Sequence, residues 1–376
     1  MKRLLTIGHS YVVAVNRRLA HEMAVAGAGE WEVTAAAPDR YPGDLRPIDL
    51  ERRAGEACRV VPLRVHFAAA PHLMFYGGGL RALLRERWDL VHCWEEPYVL
   101  AAAQVAGSLA PRVPFVFATF QNIPKRYPPP LNWFERRVLR RADGWIPFGQ
   151  STFETQRRRS ARYSALPARV IPPGVDQTVF RPDEPLGDRT RARLGWNDNA
   201  PIVGFVGRFV PAKGIGTLLS ALEHLDAPWR ILFVGAGPEQ PLVDAFAARF
   251  PARVASIAGV PHDEVPAWLN AMDVLCAPSR TTGTWREQFG RMLIEAMACG
   301  VAVIGSDSGE IPHVVGDAGI IVPEDDVAAW SRAIESLLVS PARRAELAAR
   351  GLERVREQFT WSASARRHLE FFAELT

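Results

Sequence analysis

Short apolar runs recur along the chain, separated by longer stretches in which apolar residues return every three or four positions. The runs predict strands at Arg3–Ile7, Glu32–Ala37, Arg59–Val65, Asp89–His92, Pro114–Thr119 and Gly144–Phe148 in the first half. In the second half they predict Ile202–Val206, Ile231–Val234, Val254–Ala258, Asp273–Ala277, Val301–Ile304 and Gly319–Val322. Several are apolar without interruption, as parallel strands must be when helices cover both faces. The expected fold is therefore α/β. A chain of 376 residues exceeds the ~250–300 at which a single core divides, so two Rossmann-like domains are expected. Their join falls in "IPPGVDQTVFRPDEPLG", where Pro172, Pro173, Gly174, Pro182, Pro185 and Gly187 interrupt any regular element. This gives a first domain of residues 1–175 and a second of 176–357. The closing stretch 358–376 carries Trp361, Leu369, Phe371 and Phe372, enough apolar surface to dock elsewhere.

The run from Trp285 to Gly300 places Glu287 and Glu295 eight residues apart across the start of an apolar helix that Gly290 can open. First-turn amides of a helix attract an anion such as a pyrophosphate, and the turn Gln288-Phe289-Gly290-Arg291 supplies them. Glu295 lies about a turn and a half further on, roughly 8 Å at ~1.5 Å per residue, comparable to the separation of ribose and sugar across a diphosphate. Each carboxylate can accept charge-strengthened hydrogen bonds from sugar hydroxyls. The same spacing also occurs on solvated helices. A second constellation narrows the choice: in "PIVGFVGRFVPAKGIGTLLSAL" a buried strand meets a turn at Gly207, and Arg208 and Lys213 then precede a helix with Leu218, Leu219 and Leu222. An arginine fork and a compact ammonium suit a departing diphosphate. Only three lysines stand against forty-two arginines, which makes a lysine at 213 unlike a position that merely needs positive charge.

With these residues in hand, the sequence resembles the retaining glycosyltransferases of family four. The resemblance is carried by "GRFVPAKG", "FVGAGPE" with Gly237, "AMDVLCAPSR", "EQFGRMLIEAMACGVAVIGSDSGEIPHVV" and "VIPPGVDQTVF", and is closest from about residue 165 onward. It implies the GT-B fold, two Rossmann-like domains facing a central cleft with the final helix crossing back to the first. It also implies that the first domain takes the acceptor and the second a nucleotide sugar, a UDP-sugar before a GDP-sugar. Arg208 and Lys213 would contact the donor diphosphate, Glu287 the transferred sugar and Glu295 the ribose. No Asp-x-Asp metal motif stands beside these residues, so neither a metal nor another cofactor is expected.

The first domain departs from the family pattern. Where many members carry a histidine after the strand ending at Thr119, this chain has Gln121 and Asn122. Gln121 can bond a sugar hydroxyl but cannot take a proton. His9 and Tyr11, after the first strand, and Glu95 and Glu96, after another, stand where α/β folds bind ligands and are the remaining acceptor candidates.

Charge adds one further expectation. Residues 1–176 hold 25 lysines and arginines against 16 acids, while the remainder holds 20 against 25. Arg136, Arg137, Arg140 and Arg141 lie opposite an apolar face of Leu131, Phe134, Val138 and Leu139, so this helix is an expected peripheral contact for an anionic membrane, with an ordinary solvated face as the alternative. Nucleic acid is not an expected partner, because no groove-reading module or basic patch interleaved with aromatics is present. Cys58, Cys93, Cys276 and Cys299 show no metal or redox spacing and suit a reducing cytoplasm. No run approaches the ~20 apolar residues of a membrane span. Two enzyme alternatives share parts of the pattern. A sugar-nucleotide 2-epimerase has the same architecture, whereas a dinucleotide oxidoreductase lacks support because Gln240 replaces the third fingerprint glycine after Gly235 and Gly237. A non-catalytic carbohydrate- or membrane-binding protein is the alternative of a different class.

Overall fold

The computed structural model describes residues 1–42, 47–198 and 200–376. The chain divides into two compact units, one of Met1–Gly174 with Trp361–Thr376 and the other Val175–Thr360.

Among the described residues, each unit is built on a six-stranded parallel sheet. In the first unit the strands are β1 (Lys2–Ile7), β2 (Trp31–Pro38), β3 (Arg59–Leu63), β4 (Leu90–Cys93), β5 (Phe115–Thr119) and β6 (Gly144–Pro147), and their spatial order is 3-2-1-4-5-6. In the second they are β7 (Ile202–Val206), β8 (Arg230–Val234), β9 (Val254–Ile257), β10 (Val274–Ala277), β11 (Ala302–Ser306) and β12 (Gly319–Val322), in the order 9-8-7-10-11-12. Both sheets thus reverse direction next to their first strand, between β1 and β4 and between β7 and β10. A crevice opens at the carboxyl ends of strands at such a switch point, and loops there meet ligands.

The uninterrupted apolar runs are explained by helices on both faces. In the first unit Leu5, Ile7, Val91 and Phe117 face one core layer. Leu4, Val33, Val116 and Ile146 face the other, under helix α1 (Arg18–Ala26). The same layer takes Leu369, Phe371 and Phe372 from the final helix, Trp361–Ala373, so the chain returns to complete the first unit. In the second unit Val203, Phe205, Ile231 and Phe233 pack with Leu218 and Leu222 of the helix Ile215–Glu223. On the opposite face Ile202, Leu232 and Val234 pack with Leu293, Ile294 and Met297 of the helix Arg291–Ala298. We label the helices in chain order: α1, α2 (Leu131–Arg141), α3 (Ile215–Glu223), α4 (Arg291–Ala298) and α5 (Trp361–Ala373).

Helix α2 buries Val138 and Leu139 as its pattern predicts, but Arg137 and Arg141 also bond carbonyls outside the helix. Arg137 donates from Nε to the Ala103 carbonyl at 3.2 Å, and Arg141 donates to the Ala110 and Val113 carbonyls and to Asp143. Arginines have enough reach to satisfy carbonyls at the ends of neighbouring elements, which the charge pattern alone conceals. Arg136, Arg137 and Arg140 are exposed, Arg140 donating from Nε to the Arg136 carbonyl, together with Trp133, which lies one turn before Arg136 and is 59% exposed. In the helix Gln150–Arg159, Arg159 turns inward to a buried ion pair with Glu135 beside Tyr163.

Candidate functional site

The loop from Gly207 to Gly214 leaves β7 and enters α3, while a longer loop leaves β10 for α4. Gly214 has φ +69°, and a Cβ there would stand 1.9 Å from the Pro278 carbonyl oxygen, so only glycine lets the two loops touch. The Arg280 amide donates to the Ala212 carbonyl at 2.8 Å and ties them further. This contact sets Lys213 against Glu287: Nζ is 2.5 Å from Oε2, and the Ser279 hydroxyl donates to the same oxygen at 2.8 Å. Both charged side chains are largely buried, and the Lys213 ammonium also lies 5.2 Å from the Trp285 ring centroid. The Glu287 backbone is held in turn, its amide by the Ser308 hydroxyl and its carbonyl by the Glu310 amide. Arg208 stands exposed just after β7, its carbonyl accepting from the Val210 amide at 3.1 Å, and its guanidinium makes no hydrogen bond or ion pair among the described residues.

Gly290 caps α4 with φ +83°, a conformation that admits glycine readily, and the helix begins at Arg291. The first amides of α4 have no carbonyl within the helix to receive them. Glu295 follows along the helix, nearly buried, with Oε1 accepting from His262 Nε2 at 2.9 Å and Arg291 Nε 3.9 Å from the same oxygen. His262 and Ser279 were not among the residues the sequence singled out. Gln288 is half-buried and Arg291 exposed. The Phe289 ring is a core residue packed 5.8 Å from that of Phe359, so its side chain serves the core. Gly207 donates its amide to the Val234 carbonyl, and Gly237 accepts from the Gln240 amide at the start of the next helix. Among the described residues no group of three or more His, Cys, Asp or Glu side chains is placed to hold a metal ion.

In the first unit, His9 follows β1 and Glu95 follows β4, which brings them together across the switch point. The His9 amide donates to Glu95 Oε1 at 2.6 Å, and its Nδ1 lies 2.5 Å from Oε2. Tyr76 adds its hydroxyl to Oε1 at 2.7 Å. Burial alone would lower the pKa of the His9 imidazole, but the charge and hydrogen bond of Glu95 outweigh it and the net direction is upward. The His9 side chain is 36% exposed, so the ring remains open to solvent.

The other first-unit candidates serve the fold. Tyr11 is fully buried and bonds Thr6, and Asn122 is fully buried, so neither side chain presents a ligand surface. Both oxygens of Glu95 are taken by the donors named above. Glu96 accepts from the Thr119 hydroxyl at 2.6 Å and the Phe120 amide at 2.9 Å, which fixes the loop after β5 rather than a helix start. Burial pushes the Glu96 carboxyl up to about 7, against the pull of those two bonds. Gln121 is buried, its side-chain oxygen accepting from the Ile123 amide at 3.1 Å.

Two family models match this chain: Glycosyltransferase Family 4 over residues 12–179 and Glycosyl transferases group 1 over residues 188–354. The chain is 30% identical over 262 residues to the alpha-maltose-1-phosphate synthase of Mycolicibacterium smegmatis, covering 65% of this chain and 66% of that protein. It is 33% identical over 220 residues to a D-inositol 3-phosphate glycosyltransferase of Xylanimonas cellulosilytica, covering 55% and 51%. The matches thus span about half to two-thirds of these relatives. In fold, the chain is similar over 100% of its length to sucrose-phosphate synthase from Thermosynechococcus elongatus, with TM-score 0.74, 23% identity and 99% of that chain covered. It is likewise similar to the Anabaena protein HepE solved with UDP and glucose, with TM-score 0.73, 17% identity and 100% of both chains covered. Two Rossmann-like sheets, each matched by its own family model, make this chain a member of the group 1 and family 4 glycosyltransferases.

Proposed function

We propose that this protein transfers a sugar from a nucleoside-diphosphate sugar, a UDP-sugar in preference to a GDP-sugar, to a glycan, lipid-linked or small-molecule acceptor with retention of anomeric configuration. The observation that carries the reading is the meeting of Lys213 with Glu287 at the second unit's switch point, with Glu295 further along the helix that Gly290 opens. A cation and helix amides suit a diphosphate, and carboxylates suit sugar and ribose hydroxyls. Arg208, whose exposed guanidinium has no partner among the described residues, is the second phosphate cation.

In this reading the bond from the donor's anomeric carbon to the phosphate oxygen breaks as the acceptor oxygen bonds to that carbon on the same face. The departing phosphate oxygen receives the acceptor's hydroxyl proton. Lys213 and Arg208 stabilise the charge on the leaving diphosphate, and Glu287 orients the sugar, so positioning and electrostatics supply the catalysis. No metal is assigned a role. The first unit is the acceptor side, with His9 its open polar group. The exposed Trp133, Arg136 and Arg140 of α2 support peripheral contact with an anionic membrane.

A thermal-shift panel of UDP, GDP, ADP and their sugars tests the donor, since a ligand that binds only the folded chain raises its apparent stability. The expected result is stabilisation by UDP and a UDP-sugar, followed by transfer to an acceptor. Isomerisation of the donor without an acceptor would replace this reading with an epimerase.

A further inference from the structure

The loop after β9 brings His262 onto Glu295. Its Nε2 lies 2.9 Å from Oε1, and Arg291 approaches that same oxygen. Among the described residues no donor reaches the other oxygen, Oε2, although the side chain is only 8% exposed. The imidazole is itself seated, its ring 5.2 Å from that of Phe180, a core residue of the same unit. The torsion that turns a carboxylate about its last bond is broad, so a glutamate without an anchor samples many orientations. Here one oxygen is held and the other is open.

We propose that His262 is a positioning residue for ribose recognition: it holds one oxygen of Glu295 so that the other meets the ribose hydroxyls of the donor nucleotide. The inference rests on reading this unit as a nucleotide-sugar site, and it adds the group that aims the ribose carboxylate. Nε2 spends its hydrogen on the Glu295 carboxylate. The imidazole therefore acts through Glu295 and not as a proton donor to the reaction. A carboxylate fixed in advance loses less freedom when the ribose binds, which raises affinity without a new contact to the ligand.

Two variants separate the hydrogen bond from the ring. His262→Phe keeps an aromatic ring against Phe180 but has no N–H, whereas His262→Gln restores a donor without the ring. Calorimetry on the full chain would compare UDP, GDP, their 2′-deoxy forms and inorganic pyrophosphate. In His262→Phe, the nucleotide that the parent prefers should bind about tenfold more weakly, pyrophosphate should bind unchanged, and the penalty for removing the 2′-hydroxyl should shrink. His262→Gln should recover most of the lost affinity. Equal losses for nucleotide and pyrophosphate, or undiminished discrimination against the 2′-deoxy form in His262→Phe, would overturn the inference alone. A parent that binds none of the nucleotides overturns the underlying reading and this inference with it.

Discussion

Replacing Glu287 by glutamine should tighten binding of free UDP while suppressing sugar transfer. The Lys213 ammonium is 2.5 Å from Glu287 Oε2. At an effective dielectric of about 20 this is an attraction of roughly 7 kcal/mol before desolvation is subtracted. A diphosphate reaching Lys213 must compete with that carboxylate and is also repelled by it. Glutamine keeps the shape and an acceptor oxygen for Lys213 and Ser279 but removes the charge. Returning one charge-assisted contact to the diphosphate is worth about 1.5–3 kcal/mol, or roughly ten- to a hundredfold in affinity. The fold should lose stability, because both partners are largely buried. Complete removal of one member of such a pair costs about 3–5 kcal/mol, and glutamine should cost less. Added UDP should then recover more melting temperature in the variant than in the parent. Transfer from the UDP-sugar should fall by roughly 10²–10³, as when one oriented transition-state contact is lost. Calorimetry with UDP, melting curves with and without UDP, and single-turnover transfer measure the three quantities. A folded Glu287→Gln protein that binds UDP more weakly than the parent would refute the reasoning, because Glu287 would then be a nucleotide contact and not a competitor for Lys213.

Glu295→Ala should weaken UDP and UDP-sugar by similar factors, since the ribose is common to both; a loss confined to the sugar-bearing donor would move Glu295 off the ribose. Stability should fall with acid through His368, which lies fully buried on α5 with its ring 5.5 Å from that of His92. Burial lowers its pKa from 6.5 to about 4, so the unfolded chain takes up a proton that the folded chain resists. Stability present above pH 6.5 is then lost by about 3 kcal/mol on approaching pH 4. Urea titrations across this range should show a shallower pH slope in His368→Leu than in the parent, and identical slopes would dismiss the histidine. Binding to anionic vesicles should decline with salt, given a Debye length of ~8 Å at physiological ionic strength. Combining Trp133→Ala with Arg136→Gln and Arg140→Gln should weaken it without changing donor hydrolysis, and cosedimentation equal to that of the parent would remove α2 from membrane contact. Transfer should continue in chelator and give a product with the donor's anomeric configuration; activity that only Mg²⁺ restores, or an inverted centre by NMR, would count against the proposed chemistry.

The sheets were legible because each strand is an apolar run covered on both faces. All twelve predicted strands end within two residues of those observed among the described residues; Arg59–Val65 stops at Leu63, and Val65 belongs to the short strand Val65–His66 that pairs with Phe75–Tyr76. The opening of α4 at Gly290 was legible for a similar reason, since a glycine before an apolar period marks a helix start. Pairings across loops were not. Glu95 meets His9 over 86 residues, and His262 meets Glu295 over 33, distances at which no periodicity operates. Tyr11 was misread because a polar group beside a ligand loop resembles a contact, yet its ring fills the layer beneath α1 and only its hydroxyl needed a partner, which Thr6 supplies. The arginine face of α2 was read too uniformly, because backbone carbonyls leave no mark in a charge pattern.

The return of α5 to the first unit makes the second an insertion within the first. Residues 175–360 are continuous and can assemble from local segments as they emerge from the ribosome. The first unit must wait for Trp361, Leu369, Phe371 and Phe372 before the layer over Leu4 and Trp31 is complete. Contacts of such sequence separation form late, so the earlier half of the sequence should be the later half to mature. Until then its apolar face is open to chaperones and to aggregation. A lesion near residue 370 would therefore be felt by the strands encoded first, while the second unit would already be folded.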